Sequence, residues 1–486
     1  MAKLGYPMPD HALELDPETM RRLGYRVIDT IVERISGLDA DVAWRGATRE
    51  EMERRLREPP PDGPTDPDLV LDRLLTDVLP FTGKNDHPRA FAFIPGCPTW
   101  PGILADMLAA GFNVFQGTWL ASAGPTQVEL VVLDWFKEWI GYPTSAAGAL
   151  VSGGSVANLT ALVCARAALA GAHADDLVVY VSDQTHSSME RSARTLGFRP
   201  DRVRVLPTDD AFRLAPETLD RAIREDREAG LRPLFACASA GATSTGAVDP
   251  LRELAEVCAE HGVWYHVDGA YGGFSVLTAR GRQLLKGIER ADSITLDPHK
   301  WLFQPYEAGC ILVREGARLP RTFSMFADYL QDVAPDDDAP AELREVNFGD
   351  YGIQLTRCSR ALKIWTSLKV FGVERFRAAI DNAFDLAAHA ERRIRESDRF
   401  ELLSPASLGV VCFRRVPPAG AAMDESELED LNAAFVRGLL ESGLGMISST
   451  RIHGRYALRM CILNHRTRKE DVDRVLDWLE KGQPSR

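Results

Sequence analysis

A chain of 486 residues with 45% hydrophobic and 26% charged side chains has material for a large core and more than one domain, which argues against wholesale disorder. A net charge of −13 without a Lys/Arg-rich run argues against nucleic acid or an anionic membrane as main partner, and no stretch approaches the roughly 18 apolar residues of a membrane span. The eight cysteines form no C-x-x-C pair and no apolar secretory signal follows Met1, so neither a zinc site nor a disulfide framework is expected, and a reducing cytoplasm is the expected setting.

The first 85 residues read as a helical segment. Asp16-Pro17-Glu18 makes a cap and first turn, followed by apolar positions at Met20, Leu23, Val27, Ile28, Ile31 and Ile35. That stripe has little of its own domain to pack on, so segment 1–85 is expected to pack against a partner subunit as a dimerisation element. Glu58-Pro59-Pro60-Pro61-Asp62-Gly63-Pro64 reads as a link by composition. From 86 the texture turns aromatic and rich in Gly and Pro, with Phe91-Ala92-Phe93-Ile94-Pro95-Gly96 and then Phe115-Gln116-Gly117-Thr118-Trp119. Such clusters usually pack loops, and become pocket walls only where chemistry lies beside them.

Between 150 and 314 short β-rich runs alternate with helical ones, the pattern of a mainly parallel sheet covered by helices. Strands are predicted at 177–181, 203–206, 234–238, 264–267, 294–296 and 310–313, with helices at 159–168, 216–229 and 250–261. The acidic, Pro-bearing stretch 321–350 reads as a long loop, of the length that tends to be a lid or disordered. Helices follow at 362–371 and 373–396, then strands near 408–414 and 457–463 and helices near 425–441 and 469–480. The expected organisation is α/β, with a helical segment 1–85, a large α/β domain 86–375 and a small α+β domain 376–486.

Chemistry-bearing residues gather at the predicted strand ends. Ser293-Ile294-Thr295-Leu296-Asp297-Pro298-His299-Lys300-Trp301 is an apolar run stopped by proline, which fixes φ and offers no N–H to a ladder. Lys300 therefore falls just past a strand's carboxyl end, where open α/β sheets hold their ligands. A lone lysine there is usually a surface charge, but burial or a neighbouring cation lowers its pKa enough for Schiff-base chemistry. Ser152-Gly153-Gly154-Ser155 opens a helical run, and bare N–H groups at a helix N-terminus suit a phosphate. An ordinary Gly-rich turn fits those residues equally well. Asp268 ends Trp264-Tyr265-His266-Val267-Asp268, where a carboxylate can hold a pyridinium proton or simply cap a helix. No His/Asp cluster at ligand spacing accompanies it, which argues against a metal. His186 follows another strand, in place to lie against a planar ring, although a lone histidine is more often structural. The hydroxyls around Thr243 either edge a ligand or make turn hydrogen bonds. Together, in this order, these strand ends describe an anion cradle, a ring-facing His, an Asp for a pyridine nitrogen and a Lys for an aldehyde.

Four motifs, Ser152-Gly153-Gly154-Ser155-x-Ala157-Asn158, Asp183-Gln184-x-His186-Ser187-Ser188-x-Glu190-Arg191, His266-Val267-Asp268-x-Ala270-Tyr271 and Asp297-Pro298-His299-Lys300-Trp301, resemble those of the group II pyridoxal-phosphate-dependent decarboxylases. The likeness is greatest to the aromatic-L-amino-acid decarboxylases and covers nearly the whole chain. It implies the PLP-dependent transferase fold type I, aspartate aminotransferase-like, with pyridoxal 5′-phosphate as cofactor and a homodimer with shared active sites. It further implies that Lys300 binds the cofactor aldehyde, Asp268 pairs with the pyridine nitrogen, His186 stacks on the ring near the substrate carboxylate and Ala270 packs against the ring. Gly154, Ser155 and His299, with Asn158 behind them, would hold the phosphate, and Asp297 and Thr243 join the cofactor-binding set. Tyr329, in Phe326-Ala327-Asp328-Tyr329-Leu330, matches the loop tyrosine that returns a proton to the substrate carbon, so the implied catalytic residues are Lys300, His186, Tyr329 and Asp268.

The implied reaction is decarboxylation of an aromatic L-amino acid to its arylalkylamine. The alternatives are decarboxylation of another amino acid, an aldehyde synthase on the same fold and, remotely, a non-catalytic cofactor-binding module. Having both His186 and Tyr329 favours the amine. The substrate pocket expected from the resemblance comprises Phe93, Ile94, Pro95, Phe115, Gly117, Trp119, Thr356 and Arg357, the last in Arg357-Cys358-Ser359-Arg360-Ala361-Leu362-Lys363-Ile364-Trp365. Phe93, Ile94 and Gly96 depart from the Tyr-Phe-Pro-Thr pattern of the animal enzymes. Gly117 stands where a Phe is usual, which suits an indole, whereas Thr356 before Arg357 resembles the plant tyrosine-type enzymes. The preferred amino acid stays open between them.

Overall fold

The computed structural model describes residues 13–168, 175–325, 328–333, 344–418, 421 and 423–482. The chain opens with the helix Pro17–Gly37, whose first turn is fastened by Asp16 accepting from the N–H groups of Glu18 and Thr19. Leu23, Val27, Ile28, Ile31 and Ile35 are half-buried, while Met20, Tyr25 and Val32 stand exposed. Short helical pieces Arg49–Leu56 and Pro67–Arg73 follow, with Leu69, Val70, Leu74 and Leu79 exposed as well.

The next backbone pairing, β1 (Ala90–Phe91), belongs to a sheet completed only at the end of the chain. The strands between are β2 (Ala147–Val151), β3 (Leu177–Ser182), β4 (Val203–Leu206), β5 (Arg232–Ser239), β6 (Trp264–Gly269), β7 (Ser293–Leu296) and β8 (Gly309–Val313). They form one seven-stranded sheet in the order β2-β8-β7-β6-β5-β3-β4, parallel except that β8 runs against both neighbours. Helices Gly154–Ala168, Pro216–Glu228 and Leu251–His261 provide crossovers, and β3, β7 and β8 are buried along their whole length. Full burial is what continuous apolar runs without alternation require of a strand covered on both faces.

β2 was not among the expected strands, because Ala-Gly-Ala-Leu-Val has weak β-propensity and borders the Gly-rich turn. Its Gly148 is there for β8: a Cβ would lie 2.4 Å from the carbonyl oxygen of Ile311. The two helices expected at 362–371 and 373–396 run on as Ala361–Glu396 with a break at Gly372, whose φ of 70° no continuous helix tolerates.

The smaller sheet is β1-β11-β12-β10-β9, with β9 at Phe400–Ser407, β10 at Val410–Arg415, β11 at Met446–Ile452 and β12 at Arg455–Cys461. Its helices Glu425–Glu441 and Lys469–Lys481 cover a second core around Phe413, Phe435 and Leu476. β9 escaped the sequence reading because it carries Pro405, tolerated at a sheet edge. Among the described residues no helix is long and apolar enough to cross a membrane, and no group of three His, Cys, Asp or Glu side chains is placed to hold a metal ion.

Candidate active site

The carboxyl ends of the parallel strands open on one cavity of about 340 Å³, within the range of small-molecule sites. Ser182 ends β3, Ser239 ends β5, Asp268 and Gly269 end β6 and Leu296 ends β7, each handing its chain to a turn that contributes to the wall. Gly154, Ser155, Asn158, His186, Thr243, Asp268, Ala270, Asp297, His299 and Lys300 all line it. They come from five stretches spread over nearly 150 positions of sequence, so only the parallel sheet brings them together.

Asp268 is held from two sides. The Asn158 amide donates to its Oδ2 at 2.8 Å, and the Ala270 N–H donates to its Oδ1 at 3.1 Å. Asn158 in turn contacts Ser188 Oγ at 2.9 Å, His266 Nε2 at 3.0 Å and Thr295 Oγ1 at 2.6 Å. Burial pushes the His266 ring down to about 4, with Asp268 opposing the shift, so it stays neutral. A carboxylate so fixed, with little freedom to rotate, suits a partner that needs one proton kept in one place.

Lys300 lies on the single turn Pro298–Trp301 after β7. Its Nζ is 2.9 Å from Asp297 Oδ2, on the carboxylate three residues earlier. Burial pulls the lysine down, but the charge and hydrogen bond of Asp297, helped by Asp268, outweigh it and hold the ammonium above its ordinary range. The expectation that burial would lower this lysine is thus reversed, because the same tight turn that buries it also supplies a carboxylate. His299 accepts the Ala308 N–H on Nδ1 at 3.1 Å, and its pKa is lowered by burial despite Asp297.

The donor set fits pyridoxal phosphate. At the start of Gly154–Ala168, the Gly153 carbonyl takes the N–H groups of Val156 and Ala157, leaving those of Gly154 and Ser155 as the helix's orphan donors. A Cβ at Gly154 would lie 2.9 Å from Ala270 Cβ and 3.3 Å from Asp297 Oδ2, so the wall there is close-packed backbone. Asp297 Oδ1 is buried without a hydrogen-bond partner, a polar atom awaiting one on the same wall.

The expected substrate wall is placed differently. Ile94 lines the cavity, but Phe93 is 70% exposed and Thr356 is exposed too. Phe115 and Trp119 are half-buried, and Pro95 is buried. The room beside Gly117 is taken, since a Cβ would meet the Leu355 carbonyl oxygen at 2.3 Å and the Phe115 ring at 2.5 Å. Arg357 does not line the cavity. It is 5% exposed, and its guanidinium donates to Glu129 Oε1 at 2.7 Å and the Leu150 carbonyl at 2.6 Å, tying the last residues of β2 to helix Trp119–Ile140. Tyr329 sits in the short helical turn Asp328–Val333, and its side chain lies outside the described ones, as do Phe326 and Ala327.

Some wall residues carried no separate signal in the sequence. Ser239, Gly241 and Ala242 line the cavity after β5, and Ser188 lines it beneath His186. Their position just past a strand's carboxyl end was the available clue. Tyr306 stands behind that wall, its ring 5.1 Å from that of His299.

The pyridoxal-dependent decarboxylase conserved domain matches residues 50–416. An aromatic-L-amino-acid decarboxylase of Bacillus atrophaeus is 40% identical over 464 residues, covering 96% of this chain and 95% of that protein. A phenylacetaldehyde synthase of Petunia hybrida is 33% identical, covering 92% and 91%. The crystal structure of Oryza sativa TDC with PLP and tryptamine superposes with a TM-score of 0.90 at 29% identity, covering 96% of this chain and 98% of that one.

Proposed function

The chain belongs to the family of pyridoxal-dependent decarboxylases, with the PLP-dependent fold type I, and from that premise we propose that it converts aromatic L-amino acids to arylalkylamines and CO₂ as a homodimer. It is a pyridoxal-phosphate-dependent amino-acid decarboxylase, and the aromatic substrate class is supported by relatives named for aromatic decarboxylation across 96% of its length. The observation that carries the reading is one cavity in which Lys300, Asp268 and the Gly154 helix terminus all take part.

Pyridoxal phosphate, when bound, supplies the electron sink for the pair left on the substrate carbon as CO₂ departs. Lys300 Nζ would bind the cofactor, Asp268 would keep a proton on its ring nitrogen, and the N–H groups of Gly154 and Ser155 would hold its phosphate. His186, which lines the same cavity, would serve the ring and the substrate carboxylate. Tyr329, carried on the segment 328–333, returns a proton to the substrate carbon, and closure of that segment excludes water. Homodimerisation is supported by the exposed apolar faces of the N-terminal helices and by Phe112 and Leu120, 80% and 72% exposed. The unit divisions 1–85, 86–375 and 376–486 fit this reading as dimerisation, cofactor-binding and small domains.

The test is CO₂ release by the purified enzyme across Trp, 5-hydroxytryptophan, Tyr, dopa, Phe, His and Glu. Turnover confined to the aromatic members is expected. Preference for Glu or His would overturn the substrate class, and aldehyde with peroxide as the main product would overturn the amine in favour of the synthase reading.

A further inference from the structure

One hydrogen-bond chain runs from the far end of β6 to the cavity, and each of its links has a determined direction. It begins at Trp264, whose indole N–H can only donate and reaches Ser293 Oγ at 2.8 Å. Ser293 Oγ lies 2.8 Å from His266 Nδ1, and which of the two donates is set from the other end of the chain. His266 Nε2 faces Asn158 Oδ1, an oxygen that only accepts, at 3.0 Å, so the buried neutral ring carries its proton on Nε2 and its Nδ1 takes the Ser293 proton. Thr295 donates to the same oxygen at 2.6 Å, so the Asn158 amide has one orientation, with its NH₂ toward Asp268 Oδ2 and Ser188 Oγ. Asp268 enforces that orientation independently, because a carboxylate needs a donor opposite it. Ser188 Oγ therefore accepts from Asn158 and has its proton left for His186 Nδ1, 2.9 Å away. The Ser188 backbone N–H points at the same nitrogen at 3.3 Å, a second donor that only an unprotonated Nδ1 can accommodate.

We propose that Ser188 is a positioning residue that, at the end of the chain Trp264–Ser293–His266–Asn158, fixes His186 as the tautomer protonated on Nε2. The other ring nitrogen then presents an N–H, not a lone pair, to whatever anionic group occupies the cavity beside it. Nε2 has no partner among the described residues, and His186 lines the cavity, so that N–H is available to a ligand. The group it suits is the carboxylate of an amino-acid substrate. This assignment of the ligand rests on the decarboxylase reading, whereas the tautomer itself does not. Asn158, Ser188, His266, Ser293 and Thr295 are each at most 2% exposed, which keeps competing water from reversing any link.

The test reads the ring nitrogens directly. In full-length protein carrying ¹⁵N-labelled histidine, with the His186 signals assigned by their loss in His186→Gln, Nδ1 should resonate as an unprotonated nitrogen and Nε2 as a protonated one. The reverse pattern in the wild type overturns the proposal. Ser188→Ala removes the shorter of the two donors, so the two signals should move toward each other, and kcat should fall about tenfold, the worth of about one hydrogen bond. Ser188→Thr, which keeps the hydroxyl, should restore both. Unmoved His186 signals in a folded Ser188→Ala protein, judged by its melting temperature, also overturn it. The wild-type measurement stands even if both variants fail to fold. A wild-type enzyme that releases no CO₂ from any amino acid yet shows the Nε2–H pattern would sink the functional reading and uphold this one.

Discussion

The strand-end side of the cavity and the side expected from residues 93–119 and 356–357 differ in how completely one chain builds them. On the first, the side chains behind the cofactor residues are core: Asn158 is 1% exposed, and His266 and Thr295 are fully buried and hydrogen-bonded within the chain. On the second, Phe93 is 70% exposed, Thr356 is exposed too, and Phe112 within the first stretch is 80% exposed, while the loop tyrosine comes from a separate segment. A large side chain left in water forgoes roughly 1.5–3 kcal/mol that burial would provide. The cofactor half is thus finished by folding, and the substrate half needs a second surface. The homodimer supplies one in the proposed reading.

Four experiments press on that division. The largest effect is expected from Lys300→Ala, which should reduce turnover by at least about 10⁴-fold, since the covalent anchor has no substitute in the wall. Purified protein should be yellow, with a borohydride-sensitive absorption band absent from this variant; a colourless, cofactor-free wild type would count against the entire site. Next, Tyr329→Phe should lower amine output by about 10²- to 10³-fold, in the usual range for a general acid, while aldehyde and peroxide rise. An unchanged amine yield would remove Tyr329 from the mechanism.

A smaller effect is expected on stability in acid. His266 and His465 are both pushed by burial to about 4, below the ordinary histidine value near 6.5. Their folded pKa values are depressed, so between about pH 4 and 6.5 the unfolded chain binds more protons and the native state loses stability as pH falls. The loss is at most about 3 kcal/mol per histidine across that window. Burial pushes Asp249 up to about 7, which opposes the two histidines over the same range, so the check is differential: the urea midpoint of His465→Gln should fall less from pH 7 to 4 than that of the wild type, and equal falls would show that the His465 ring is not held neutral. Smallest, Phe112→Asp should weaken dimerisation and lower turnover about tenfold while the protein keeps its bound cofactor. If colour were lost in step with turnover, the two halves would not be separable as described.

Much of the strand-end half was legible because each of its signals is local. Proline after an apolar run stops β7 and delivers Lys300, and Asp268 follows the apolar residues of β6 directly. The long helices Pro17–Gly37 and Glu425–Glu441 were also readable, through a cap and a 3.6-residue period. β2, β9 and β11 were not, since Gly148, Pro405 and the polar run of β11 give poor strand signals; β2 pairs with the distant β8, whereas β9 and β11 pair with the next strands, β10 and β12. Arg357 shows the same limit at a single residue. Its motif was visible, but nothing local to 357–365 tells that Glu129, 228 positions earlier, waits to pair with it. Breaking such a buried pair by removing one partner costs about 3–5 kcal/mol, so its first duty is to the fold.

By itself, the sequence determined which reactive groups stand together: a lysine, an aspartate, a histidine and a Gly-rich helix start, each set at a strand end by turn residues within a few positions. Only the tertiary structure decided which charges those groups meet. Asp297 turns back onto Lys300 and holds it protonated, Asn158 bridges Asp268 to Ser188, and Leu355 fills the space that Gly117 leaves. The reason is that protonation and pocket shape depend on contacts between segments, and those distances are set by how the sheet stacks its strands.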